Sequence, residues 1–134
     1  YGEVITQLES FIASENGKNA SGEAALMLSE IYEEYKQPEK GAEAVSKVLQ
    51  SWSGKGLLFN VLQLRAGDLW AIASKCDKAV NFWQKVALED SFMSQQAQLK
   101  LGVCYQELGR IDEAKTWFTK IKSKAPQKHK KKLS

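Results

Sequence analysis

Apolar residues recur along this chain at intervals of three and four, the spacing of helices that bury one face. The pattern predicts an all-α protein. Seven helical segments are expected, starting near Val4, Ser21, Pro38, Leu57, Ala79, Gln95 and Asp112. The stretch from Ser51 to Gly56 holds two glycines and two serines, which predicts a connector rather than a helix.

The expected helix ends carry residues suited to those positions. Asn19 or Ser21 should cap the second helix, and Asp90-Ser91 should cap the sixth. Pro38 fits a first helical turn, because it forfeits no intrahelical hydrogen bond there. Gly109 stands just after a predicted helix, where glycine is the preferred residue.

Two sequence landmarks recur with one period. Ala66-Gly67-x-x-Trp70 and Ala79-x-x-x-Trp83 are followed, 35 residues later, by Leu101-Gly102-x-x-Tyr105 and Ala114-x-x-x-Phe118. A weaker copy begins at Leu28-Ser29-x-x-Tyr32, 38 residues before the first landmark. Small residues at this spacing let two short helices approach closely, and the aromatic residues fill the gap beside them.

The residues from Gln98 to Pro126 resemble the tetratricopeptide repeat at nearly every diagnostic spacing. The resemblance implies a right-handed solenoid of helical hairpins that serves as a binding scaffold rather than an enzyme. It divides the chain into a repeat domain at 1–126 and a basic tail at 127–134. Within the domain it implies a partial repeat at 1–17 and three repeats at approximately 21–53, 57–91 and 92–126.

In this family five positions of each repeat's first helix line a concave groove, and we call the fifteen corresponding positions here the groove residues. They are Glu23, Leu26, Glu30, Glu33 and Glu34 in the first repeat, Val61, Leu64, Asp68, Ala71 and Ile72 in the second, and Gln96, Leu99, Val103, Gln106 and Glu107 in the third. The resemblance implies a groove that is acidic at one end and apolar in the middle. Its partner would be an extended or helical protein segment with apolar anchors and some positive charge.

One binding mode is excluded for this surface, and two alternatives to a partner segment stay open. Chaperone-binding members of the family clamp a terminal carboxylate with lysine, asparagine and arginine, and none of the groove residues is of those types. An alternative occupant of the groove is a further helix of the same protein, since unstacked repeats expose apolar surface. A second alternative is that the exposed repeat ends associate with like copies to form a homo-oligomer.

Composition and charge agree with a soluble domain: 26% of the residues are charged and 43% are hydrophobic. The charge is uneven, with a net −6 over residues 1–43, +2 over 44–119 and +7 over 120–134. The basic end could meet anionic lipid, nucleic acid or an acidic protein, but a solvated terminus is the favoured interpretation. Nucleic-acid binding is not expected, because no aromatic residue or known motif accompanies these lysines.

Residue patterns typical of catalysis, metal binding or cofactor binding are missing from this sequence. It has no phosphate-binding glycine loop, no HExxH helix and no CxxC pair, and His129 is its sole histidine. We therefore expect no enzyme activity, no metal and no cofactor. Cys76, expected in a turn, and Cys104 are interpreted as two unpaired thiols, although a bridge stays open in an oxidising compartment.

The tryptophans divide into two groups. Trp70 and Trp83 occupy repeat positions that normally belong to the core. Trp52 lies at the start of the connector, where it could be an exposed contact residue or could pack beneath the loop.

The opening helix and the run Leu101-Gly102-x-Cys104-Tyr105-x-Glu107-Leu108-Gly109 resemble bacterial membrane-anchored tetratricopeptide proteins, of the kind represented by the ancillary subunit of the SecYEG translocon. This resemblance implies a place in the cell envelope, on the extracytoplasmic (periplasmic) side of the inner membrane, with translocon components or exported proteins as partners. Because the chain begins at Tyr1 and carries no apolar span of about 20 residues, it is expected to be a fragment whose membrane contact lies in another segment. A cytoplasmic adaptor is the alternative.

Overall fold

The computed structural model describes residues 2–89 and 91–121, and over these residues the chain is all-helical with no strand. The helices are α1 (Gly2–Ser14), α2 (Asn19–Glu34), α3 (Pro38–Gln50), α4 (Leu57–Ile72), α5 (Cys76–Ala87), α6 (Phe92–Glu107) and α7 (111–121). The predicted all-α repeat fold is confirmed. The basic tail, Pro126 and His129 lie outside the described residues.

Several helix boundaries differ from the sequence prediction. Pro38 does open α3, but α5 begins at Cys76, three residues before the predicted start, so this cysteine is helical and not in a turn. Lys18 is the N-cap residue of α2, and Ser21 lies inside the helix with its hydroxyl donating to the Lys18 carbonyl at 2.7 Å. The capping prediction for α2 was therefore wrong.

The sixth helix has the predicted cap position without the predicted capping bond. Ser91 is the N-cap residue of α6, yet its side chain makes no capping hydrogen bond, and its buried hydroxyl has no partner among the described residues. Asp90, the other predicted cap residue, lies outside the described residues. Position alone therefore did not predict the bond.

Each hairpin turns between its two helices in the same way. Lys36, Ser74 and Gly109 stand at equivalent positions and all have positive φ, at 60°, 63° and 76°. In each case the next backbone N–H reaches back over the turn to a helix carbonyl at 2.8 Å. These bonds are Gln37 to Tyr32, Lys75 to Trp70 and Arg110 to Tyr105. The repeat is thus conserved in backbone geometry even where only the third copy has the glycine that this conformation favours.

The first helices of the hairpins form one row. Neighbours in the order α2, α4, α6 contact each other directly, α3 packs between α2 and α4, and α5 packs between α4 and α6. The helix α1 packs on α2 in the manner of the second helix of a partial repeat. The first helices therefore lie closer to one another than the second helices do.

Within the second and third hairpins, a small residue lets the two helices pack closely, as the sequence predicted. A Cβ atom on Gly67 would overlap the indole of Trp83, and a Cβ atom on Gly102 would overlap the ring of Phe118. Trp83 is buried in the core. The two landmarks of the sequence are thus two contacts of the same kind.

The connector between α3 and α4 is not helical, and it places Trp52 over the first hairpin. A Cβ atom on Gly22 would lie 3.0 Å from the Trp52 ring and 3.1 Å from Leu62. The ring is half-buried and packs against the core. Of the two alternatives for Trp52, packing beneath the loop is the one that the structure has.

Candidate functional site: the face of α2, α4 and α6

The groove residues lie on the three helices of the row, and their exposure divides them. On α6, Leu99 is 52% exposed and Val103 is 46% exposed, and on α4 Ile72 is 53% exposed. Leu64 is only 9% exposed and belongs to the core. The apolar part of this face is therefore built mainly by Leu99, Val103 and Ile72.

Two apolar side chains extend the same helical face beyond the predicted set. Leu57 and Phe92 are the first residues of α4 and α6, each four residues before a groove residue, and Phe92 is 82% exposed. The repeat pattern missed them because its numbering begins one turn later. The four-residue spacing to Val61 and Gln96 was the signal that could have found them.

Ion pairs between neighbouring hairpins neutralise part of the acidic end. The Arg65 guanidinium donates to the Glu33 carboxylate at 2.7 Å and to the Ser29 hydroxyl at 3.1 Å. One hairpin further along, the Lys100 ammonium donates to the Asp68 carboxylate at 2.6 Å. Glu33 and Asp68 are therefore occupied by cations of this chain, which the charge pattern alone did not reveal.

On α2, three acidic groove residues are not compensated by a cation of the described residues. Glu23, Glu30 and Glu34 are exposed on α2 and form no ion pair with any residue in 2–89 or 91–121. They lie on one helix, at spacings of seven and four residues, so they share a face. The acidic charge that no cation of the described residues compensates is thus concentrated on α2, and Glu107 at the end of α6 adds a single carboxylate.

A disulfide joins Cys76 to Cys104, with Cα atoms 5.3 Å apart. The interpretation of two unpaired thiols was wrong, because the first turn of α5 and the last part of α6 come together across the stack, a proximity that sequence spacing does not express. The bridge lies beside the groove residues of α6: Cys104 follows Val103, and the Cys76 Sγ atom is 3.4 Å from a Glu107 carboxylate oxygen. It fixes the third hairpin to the second.

Residues 2–89 and 91–121 contain neither a metal-binding cluster nor a helix suited to span a membrane. Within this part of the chain, no group of three or more histidine, cysteine, aspartate or glutamate side chains is placed to hold a metal ion. None of its helices combines the length and the apolar character needed to cross a bilayer.

Comparison with known proteins gave one match. Residues 96–128 match the tetratricopeptide repeat family, a segment that includes the last three quarters of α6 and all of α7 (111–121). No curated protein and no solved structure matched the chain significantly.

Repeats of this family generally mediate protein–protein interaction and are typically not catalytic. The matched segment forms a hairpin whose turn and glycine–aromatic contact are repeated by the hairpin before it. The match and this repetition together support membership of the tetratricopeptide repeat family.

Proposed function

We propose that the groove residues of α2, α4 and α6 bind a segment of a partner protein that has apolar anchors and a basic end. The observation that carries this proposal is the exposed pair Leu99 and Val103, four residues apart on α6, with Ile72 also exposed on the neighbouring helix α4. Large apolar side chains that stand together on a surface are typical of binding sites. An amphipathic helix or an extended strand can place its own apolar residues against such a stripe.

Charge defines the orientation of the segment. Its basic end lies over Glu23, Glu30 and Glu34 on α2, and its apolar anchors lie over α4 and α6. Glu33 and Asp68 contribute less, because Arg65 and Lys100 already compensate their charges.

The disulfide supports an extracytoplasmic location. Structural disulfides persist in oxidising compartments and are rare in the reducing cytosol. A periplasmic domain that assists protein export or envelope assembly, with translocon components or exported proteins as partners, is consistent with this bridge. The bridge disfavours the alternative of a cytoplasmic adaptor.

A pair of charge substitutions tests the proposal. The double variant Leu99→Glu, Val103→Glu introduces two carboxylates at exposed positions, so helix content should be retained while partner binding falls at least about tenfold. Leu88→Glu is the matched control, because Leu88 is 74% exposed and lies outside the groove residues. The readout is capture of partners by each immobilised protein, followed by the affinity of the captured segment for each variant.

The outcomes separate groove binding from self-association. Equal affinity for the native chain and the double variant would contradict groove binding. Light scattering tests self-association. A molar mass that rises with protein concentration for the native chain, but not for the double variant, would instead identify a second copy of this chain as the partner.

A further inference from the structure

The seventh residue of the second helix distinguishes the first hairpin from the other two. The second helices α3, α5 and α7 begin at 38, 76 and 111, and their seventh residues are Ala44, Phe82 and Trp117. Phe82 and Trp117 pack against the core as partly buried rings. The first hairpin has a methyl group where the other two have an aromatic ring.

The space left by the missing ring is an open pocket. A cavity of about 510 Å³ lies between α1, α2 and α3, and Ala44 lines it together with Ile12, Leu28 and Val48. Its volume is within the range of small-molecule sites. None of the groove residues lines it, so it is a separate site on another side of α2.

A lysine lines this pocket at a position suited to a cation–π contact with a bound ring. In α7 the Lys120 ammonium lies 4.6 Å from the centre of the Trp117 ring. Lys120 follows Trp117 by three residues on this helix. Lys47 follows Ala44 by the same three residues and lines the pocket. A ring bound beside Ala44 would therefore receive the cation–π contact that Trp117 receives.

A polar group in the pocket also lacks the bond that its counterparts make. The indole N–H of Trp70 donates to the Ser46 hydroxyl at 3.1 Å, and the Tyr105 hydroxyl accepts from the Gln84 amide. Tyr32 holds the equivalent position in the first hairpin, lines the pocket and has no hydrogen bond to any side chain in 2–89 or 91–121. Its oxygen is thus available to accept a hydrogen bond.

The surroundings of Tyr32 favour the protonated form of its hydroxyl. Burial, followed by the negative charges of Glu9 and Glu43, raises the pKa of this phenol above its ordinary value of 10.0. The hydroxyl therefore stays protonated at neutral pH, and it accepts a hydrogen bond through an oxygen lone pair.

We propose that this pocket binds an indole ring, which stacks beneath Lys47, fills the space beside Ala44 and donates its N–H to the Tyr32 hydroxyl. The ring can come from a tryptophan side chain of a partner protein or from a free indole. Both sources share the same planar ring and the same N–H donor.

An NMR titration of the isotope-labelled chain tests this proposal with three probes: indole alone, a short peptide containing one tryptophan, and the same peptide with alanine in its place. We expect saturable shifts at Leu28, Ala44 and Val48 with indole or the tryptophan peptide and none with the alanine peptide. Tighter binding of the tryptophan peptide than of indole would identify a partner side chain as the source. Binding of indole alone would identify a free ligand.

Two substitutions at Ala44 fill or preserve the pocket, and a third, at Lys47, removes its cation. Ala44→Trp copies the third hairpin, and it should weaken indole binding at least about tenfold because the chain's own ring takes the site. Ala44→Ser keeps the space open and should bind within about twofold of the native chain. Lys47→Gln removes the cation and should weaken binding about threefold.

Other results would overturn the proposal. These are the lack of any shift with both indole-containing probes, or equal indole affinity in the native chain and a helical Ala44→Trp protein. If Ala44→Trp does not fold, Ala44→Leu removes part of the same volume, and unchanged affinity in that variant has the same meaning.

Discussion

The indole of Trp83 lies against the backbone of Gly67, so that the two helices of the second hairpin meet where one residue has no side chain. A methyl group at Gly67 would overlap the ring and force the helices apart. The contact between Gly102 and Phe118 repeats this arrangement in the third hairpin.

We predict that Gly67→Ala lowers the free energy of unfolding by about 1–3 kcal/mol, because overpacking a close contact outweighs the gain in helix propensity. Urea unfolding followed by circular dichroism measures the change. Gly2→Ala is the control, since nothing lies within 4 Å of a Cβ atom at Gly2, and its stability should match or slightly exceed that of the native chain. Stabilisation by Gly67→Ala would contradict the contact.

The disulfide should contribute measurably to stability. Replacing Cys76 and Cys104 by serine should lower the free energy of unfolding by about 3–4 kcal/mol, because the bridge closes a long loop in the unfolded chain. A reductant should destabilise the native chain to a similar extent and leave the double variant unchanged. Alkylation of the unreduced protein in denaturant, followed by mass spectrometry, should detect no free thiol, and two modified cysteines per chain would disprove the bridge.

The turn after α4 holds a serine in a conformation that suits glycine. Ser74 has φ 63°, while Gly109 holds the same position in the third hairpin. We predict that Ser74→Gly raises the free energy of unfolding by about 1 kcal/mol by relieving this strain. Ser74→Ala keeps the Cβ atom and should bring no gain, so equal stabilisation by both variants would show that strain is not the cause. Thermal unfolding of the three proteins makes the comparison.

An ion pair between hairpins predicts a specific pH dependence. The Lys75 ammonium donates to the Glu39 carboxylate at 2.6 Å. This hydrogen bond lowers the pKa of Glu39 below 4.5, and the same bond raises the pKa of Lys75 above 10.5. The stability contributed by Glu39 is present above pH 4.5 and is lost as the pH falls through its lowered pKa. The contribution of Lys75 is present below pH 10.5 and is lost as the pH rises through its raised pKa.

The variant Glu39→Gln tests this dependence. Its stability difference from the native chain should be constant near neutral pH and should shrink in acid and in strong base. Added salt should reduce the difference, because both side chains are partly exposed. A difference that stays constant from neutral pH into acid would contradict the role of the pair.

The repeat fold was predictable because local spacing determines it. The positions of Gly67 and Trp83 along two helices already specify a close crossing, and the periodic recurrence of that pair specifies a stack. The exposure of Leu99 and Val103 agrees with the face of α6 that the family resemblance assigned to them. These are relationships within one hairpin, and sequence spacing expresses them directly.

Relationships between hairpins were not predictable in the same way. The bond between Cys76 and Cys104 and the pairing of Arg65 with Glu33 depend on how far one hairpin is rotated against the next. The pocket exists because the Ala44 side chain is too small to fill the space that an aromatic ring fills in the other two hairpins. Hydrophobic periodicity does not indicate this, because it counts alanine as one more apolar residue. Three-dimensional packing was needed to show each of them.

The bridge between Cys76 and Cys104 also has a mechanical consequence. If the chain is pulled from its two ends, the bond shortens the path that carries the force, and the loop between residues separated by 28 positions cannot lengthen. About 95 Å of extended chain stays hidden until the bond is reduced. Under load, the region before α5 can unfold and extend fully, while the segment enclosed by the bridge cannot. A single-molecule pulling experiment would therefore measure a shorter extended length for the oxidised protein than for the reduced protein.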